Sequence, residues 1–172
     1  MPVRLVVNNG PFARLDPREV RRRARVMMAT LKRGSSELSI VLTNDEQIHE
    51  LNKLYRDKDR PTDVLAFAMT EGEFSELSRE LLGDVIISVP TAARQARERG
   101  ATLLEEVTML LGHGLLHLLG WDHRTVKEDK AMRAETDRLC AAAAPLQRGR
   151  NGGIAQKKNR RRSLVQSMRP KK

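Results

Sequence analysis

One stretch of this chain limits its fold more than any other. From Leu103 to Leu119 the residues form a long apolar run, interrupted by Glu105, Glu106, His113 and His117. Ionisable groups inside such a run argue against a membrane span. The run is therefore expected to be a helix buried in a protein core, with other elements packed around it. Hydrophobic residues make up 40% of the 172 positions but aromatics only 3%, so that core must be built from Leu, Val, Ile, Ala and Met. This length suits one domain with a tail to spare.

The amino terminus, Met1-Pro-Val-Arg-Leu-Val-Val-Asn-Asn, has too short an apolar run for a signal peptide. The single cysteine, Cys140, excludes an internal disulfide and fits a reducing compartment. On an alanine-rich helix it reads as packing rather than chemistry. A soluble, cytoplasmic protein with no membrane partner is expected.

Strands are predicted at Val3–Val7, Leu38–Thr43, Val64–Met69 and Asp84–Val89, each short, apolar and often β-branched. Helix starts are marked between them. Asp16-Pro17-Arg18-Glu19 offers an N-cap, a proline at the first helical position and a glutamate in the first turn. Thr43-Asn-Asp-Glu46, Thr102-Leu-Leu-Glu105 and Thr125-Val-Lys-Glu128 have capping-box spacing. Gly100 closes a helix that begins near Pro90, and Gly120 closes the histidine-bearing helix. The resulting order is strand, helix, strand, helix, strand, strand, helix, helix, helix. Early alternation implies crossovers and a largely parallel region. The polar segment from Thr70 to Gly83, with Glu71 to Glu80 as a flexible loop, can join its two strands as a hairpin and make the sheet mixed. No internal repeat is present.

The net charge of +10 suggests a polyanionic partner. Ten of the 32 basic residues lie from Pro145 to Lys172, a stretch without Asp or Glu, leaving 22 of each sign in positions 1–144. The excess therefore belongs to the tail. Its composition does not support independent folding, and it reads either as an arm that follows a phosphate backbone or as a solubilising extension. The basic run Arg18 to Arg25 reads as the solvated face of a helix whose apolar side is Val20, Ala24, Met27 and Met28.

Three of the four histidines fall in His113-Gly-Leu-Leu-His117-Leu-Leu-Gly-Trp-Asp-His123. On a helix the first two project from one face, roughly 6 Å apart at Cβ, and their imidazoles can reach one cation at ~2.0–2.1 Å. Gly120 lets the chain turn back so that His123 completes a triangle. Burying unpartnered imidazoles is costly, and a metal supplies the partner. One zinc ion is the first choice for three neutral nitrogens, with nickel, copper and iron also compatible. Three protein ligands leave one coordination position open, as in catalytic rather than structural sites, where water is activated near neutral pH. Asp122 either orients a ligand imidazole or caps the turn. Gly112 and Gly114 each cost the helix ~1 kcal/mol relative to alanine. That cost points to close approach by a neighbouring helix or a substrate, or to tight helix–sheet packing.

The spacing resembles the metzincin protease motif His-Glu-x-x-His-x-x-Gly-x-x-His, with His113, His117, Gly120 and His123 in register. Gly114 occupies the position of that motif's general base, which argues against peptide hydrolysis. A phosphodiester suits the site better, because RNA carries its own attacking 2′-hydroxyl.

The same histidine segment is similar to the signature of the YbeY family, bacterial endoribonucleases of ribosomal RNA maturation. Three further segments carry the resemblance: Asn52-Lys-Leu-Tyr-Arg56-Asp-Lys-Asp-Arg-Pro61-Thr-Asp-Val-Leu-Ala-Phe67, Leu82-Gly-Asp84-Val-Ile-Ile-Ser88 and Gln95-Ala-Arg-Glu. It spans roughly residues 1–143. Ala66 departs from it, standing where the family often has serine, and the tail lies outside it. The resemblance implies an α/β (α+β) fold of zincin-like form, with a small mixed four-stranded sheet packed by about five helices, and a metal-dependent endoribonuclease domain over 1–144. Composition adds a disordered basic C-terminal tail over 145–172. The zinc ligands implied by the resemblance would be His113, His117 and His123, and these together with Arg56, which matches the family's arginine and would engage a phosphate, would form the catalytic set. The implied substrate is single-stranded RNA, cut during maturation of the small-subunit 16S rRNA 3′ end and in ribosome quality control, with the small subunit as partner. Two other readings compete: a non-catalytic ribosome-assembly module with a structural metal, and a metalloprotease.

Overall fold

A computed structural model describes residues 3–69 and 81–145. In chain order the elements are β1 (Val3–Val7), α1 (Pro17–Thr30), β2 (Glu37–Thr43), α2 (Asp45–Arg56), β3 (Val64–Ala68), β4 (Leu81–Ser88), α3 (Val89–Arg99), α4 (Leu103–Leu118) and α5 (Val126–Ala143). The strands form one sheet in the order β1-β2-β4-β3. β1 and β4 flank β2 in parallel, while β3 pairs antiparallel with β4 at the edge. The sheet is mixed: its parallel part follows the early alternation of elements, and the antiparallel pair is the one expected of a hairpin between β3 and β4. The Glu71–Glu80 loop and the tail beyond Pro145 lie outside the described residues.

Strand alternation divides the core between two faces. Leu38, Ile40, Leu42, Val85 and Ile87 point into the larger cluster with Met27, Met28, Leu110, Leu111, Leu115 and Leu116. Ile86 and Leu65 point the other way, onto Ile48 of α2, with Val41, Leu51 and Phe67 packed beside them. The long apolar run is the buried helix its composition demanded: α4 packs against α1, α3, α5, β3 and β4. Each fully buried leucine contributes ~1.5–3 kcal/mol through the apolar surface it removes from water. Among the described residues no helix is long and apolar enough to cross a membrane.

Asp16, Thr102 and Thr125 cap α1, α4 and α5, and Thr125 with Glu128 forms the full reciprocal capping box. Five local expectations need correction. The N-cap of α2 is Asn44 rather than Thr43, which stays in β2. β4 begins at Leu81 rather than Asp84: Glu37 pairs with Leu81 and Leu38 with Gly83, so Leu82 is an extra residue in a bulge. Gly83, at φ +137°, marks that bulge because a Cβ there would lie 2.1 Å from the Phe67 carbonyl oxygen. Val89 belongs to α3 and Met69 lies beyond β3. Finally, Arg23 is not on a solvated face; it is buried, with Nη1 donating to Thr108 Oγ1 at 3.0 Å and Nε to Glu19 at 3.1 Å.

Candidate metal centre

The site begins with one helical turn. His113 and His117 lie four residues apart on α4, and their Nε2 atoms are 2.8 Å apart. The helix then stops in a Schellman motif: Gly120 N donates to His117 O, and Trp121 N donates to Leu116 O. Gly120 takes φ +89°, a conformation that a Cβ would strain even though nothing lies within 4 Å of it. The chain thus doubles back, and Asp122 Oδ1 accepts from the His123 backbone N at 2.8 Å. Asp122 therefore caps this turn. His123 is buried, and its ring centroid lies 5.7 Å from that of His113 and 5.4 Å from that of His117.

One ligand nitrogen from each ring falls within a mutual 4.8 Å, so the three can hold a metal ion. An ion at ~2.0–2.1 Å from each nitrogen would space them by roughly 3.4 Å, wider than the 2.8 Å between His113 and His117 and inside the 4.8 Å that bounds all three. The protonation states fit as well. Burial pushes His113 down to about 3, reinforced by His117 and His123. His117 is lowered first by burial and then by His123, while Asp122 and a hydrogen bond to the Trp121 backbone act in the opposite sense. Neutral rings keep the lone pairs that a metal requires, and the backbone bond from His117 fixes its orientation.

Arg56 reaches the same neighbourhood from α2. That helix ends with Asp57 in the left-handed conformation, and buried Asn52 donates from Nδ2 to Arg60 O, which organises the following turn. The Arg56 guanidinium donates to Ala66 O at 2.6 Å and lies 5.0 Å from the Phe67 ring centroid. Its charge is one of the influences lowering His117. Ala66 contributes only its carbonyl, so the departure from serine leaves this contact intact. The fourth histidine, His49, stands apart and pairs with Asp59 at 2.6 Å.

Gly114 is explained by packing. A Cβ there would lie 2.8 Å from Val85 Cγ1 and 3.6 Å from Val64 Cγ2, so α4 presses directly on the sheet. The position that a protease would give to a glutamate has no room for one. Gly112 differs: its Cβ would meet Met27 and Thr136 at 3.6 Å, an ordinary contact.

Several residues near the site escaped the sequence reading. Phe67 supports Arg56, and Tyr55 meets the Phe67 ring edge-on at 5.5 Å. A buried polar group lies elsewhere along α4. Glu106 is pushed up to about 7 by burial, against the pull of Arg99 3.7 Å away, with Asp63 and Glu98 adding repulsion. Asp63 is raised by burial too, although Gln95 Nε2 and Val64 N donate to it. The only sequence signal for this group was a glutamate in an apolar run.

A family model described as Endoribonuclease YbeY matches residues 14–144. Curated relatives carrying that description include one from Geobacter sulfurreducens, 46% identical over 70% of this chain and 81% of the relative. Another, from Aquifex aeolicus, is 46% identical over 71% of this chain and 83% of its own length. A third, from Anaeromyxobacter dehalogenans, is 42% identical over 90% of this chain and 80% of its own. Among solved structures, a solution structure of a Thermotoga maritima protein superposes with a TM-score of 0.57 at 25% identity, covering 82% of this chain and 88% of that one.

Proposed function

This chain belongs to the YbeY family of endoribonucleases, and on that premise we propose that it is a zinc-dependent endoribonuclease specific for single-stranded RNA. Its task is ribosomal RNA processing, with maturation of the 16S rRNA 3′ end and ribosome quality control as the cytoplasmic roles. Residues 1–144 form the catalytic domain, and 145–172 an arm that adds phosphate contacts. The observation that carries the reading is the convergence of three imidazoles, His113, His117 and His123, whose ligand nitrogens lie within a mutual 4.8 Å, in the neighbourhood of Arg56.

His113, His117 and His123 would hold the ion. When bound, such an ion polarises a phosphoryl oxygen and makes water nucleophilic near neutral pH. Arg56 is steadied by the Ala66 carbonyl and the Phe67 ring, and its remaining N–H donors are available to a phosphate oxygen. There its charge offsets the negative charge that builds during displacement. The lack of space at Gly114 favours a substrate that does not rely on a carboxylate base at that position. RNA is one, because its 2′-hydroxyl is already placed beside the scissile phosphate.

The test is cleavage of matched single-stranded and duplex RNA by the purified full chain, alongside elemental analysis and a control for contaminating nuclease. Cleavage of the single strand alone, its loss on chelation and its return with zinc are expected, as is loss of both metal and activity in His117→Ala. Undiminished cleavage after verified metal removal would refute the proposal.

A further inference from the structure

This chain has five aromatic residues, among them one tyrosine and one tryptophan. Both of these are exposed, Tyr55 at 64% and Trp121 at 37%, although burying either would remove a large apolar surface from water. Tyr55 continues the stripe Ile48, Leu51, Asn52 that α2 turns toward the sheet, yet it emerges at the end of that helix beside β3, the edge strand. Its ring meets Phe67 at an interplanar angle of 64°, and the neighbouring Arg56 guanidinium lies over that same Phe67 ring. The pair therefore presents an aromatic surface next to a cation, at the edge strand β3 that packs against α4, the helix carrying His113 and His117. Trp121 adjoins the cluster from the other chain segment. It sits between Gly120 and Asp122, two residues before His123, and its backbone is hydrogen-bonded to His117.

We infer that Tyr55 and Trp121 are base-stacking residues, each offering a ring to an unpaired nucleobase of an RNA strand whose phosphate engages Arg56 and the histidine centre. The inference rests on the endoribonuclease reading and deepens it. Aromatic faces accept any base, so the site gains affinity without sequence preference. A duplex keeps its bases stacked on one another, so only an unpaired strand can supply them. Selection of single strands thus follows from two rings flanking the reaction centre.

Trp121 provides the readout, because no other tryptophan contributes fluorescence. The zinc-loaded full chain is titrated with 2′-O-methyl oligouridylate, which cannot be cut through its own 2′-oxygen and is verified intact on a gel after the titration, and with an abasic oligomer of equal length and charge. The base-bearing strand is expected to quench Trp121 and to bind about tenfold tighter or more. Tyr55→Leu and Trp121→Leu, the latter followed by anisotropy of a labelled strand, each lose about tenfold toward the base-bearing oligomer and leave abasic binding unchanged. Tyr55→Phe, which keeps the ring, recovers most of that loss. Equal affinity of the wild-type protein for the two oligomers would overturn the inference and leave the exposed rings to a protein partner. Because binding is read without turnover, a chain that discriminates bases but cuts no RNA refutes only the endoribonuclease reading. One that cuts RNA without discriminating bases refutes only the stacking.

Discussion

Replacing Glu106 by glutamine should free the fold of a pH-dependent penalty. Its carboxyl is 2% exposed, and burial pushes it from an ordinary 4.5 up to about 7. A carboxyl whose native pKa is raised binds more protons folded than unfolded between those two values, so stability falls as pH rises through that window. At 1.36 kcal/mol per pH unit the full penalty is about 3 kcal/mol, of which roughly 2–3 kcal/mol develops between pH 5 and 8. The groups facing it are Arg99 and Glu98 of α3 and Asp63 before β3, and the attraction of Arg99 does not offset the burial. His113 and His117 act in the opposite direction. Their native pKa values are depressed, so the metal-free protein gains stability as pH rises toward their ordinary value of 6.5. A difference measurement removes that contribution. Urea unfolding of wild type and Glu106→Gln, both with chelator, is compared at pH 5, 6, 7 and 8. The advantage of the variant should grow by about 2–3 kcal/mol across the series. An advantage constant with pH, or one that shrinks, would show that Glu106 ionises normally in the folded chain.

Gly114→Ala drives a methyl into Val85 and should cost ~1–3 kcal/mol of overpacking, more than the ~1 kcal/mol it gains in helix propensity. Gly112→Ala meets only ordinary contacts and should stabilise by up to ~1 kcal/mol; the two melting temperatures decide between them. Arg56→Ala should lower kcat/KM by about 10²–10³ while leaving zinc content unchanged. Arg56→Lys should recover only part, since a lysine reproduces neither the ring contact with Phe67 nor the fork of donors; an unchanged rate in Arg56→Ala would remove it from the reaction. Deleting residues 147–172 should flatten the slope of log K against log salt for RNA binding, and an unaltered slope would exclude the arm from phosphate contact.

What could be read in advance was what local chemistry encodes. The caps at Asp16, Thr102 and Thr125, the terminating Gly100 and the i, i+4 histidines all act within a turn or two of themselves, and each appears where its neighbours implied. The errors fall where a distant segment decides. Leu82-Gly83 looked like loop because glycine punctuates chains, yet its partner across the sheet, Leu38, makes it a bulge. Arg23 looked solvated until Thr108, distant in sequence, supplied its partner. Gly114 allowed two explanations, and only the position of Val85 on another strand separates them. Glu106, Arg99 and Asp63 meet from three segments, and no spacing within any one of them announces it.

The Schellman turn at Gly120 confines all three imidazoles to an eleven-residue span. Ligands so close along the chain remain near one another after denaturation, since closing a short loop sacrifices little chain entropy. The unfolded polypeptide should therefore retain appreciable affinity for the ion, and tight capture would raise the melting temperature by less than the dissociation constant suggests. Occupancy and thermal resistance become partly uncoupled: the chain would release its ion while its architecture stays standing.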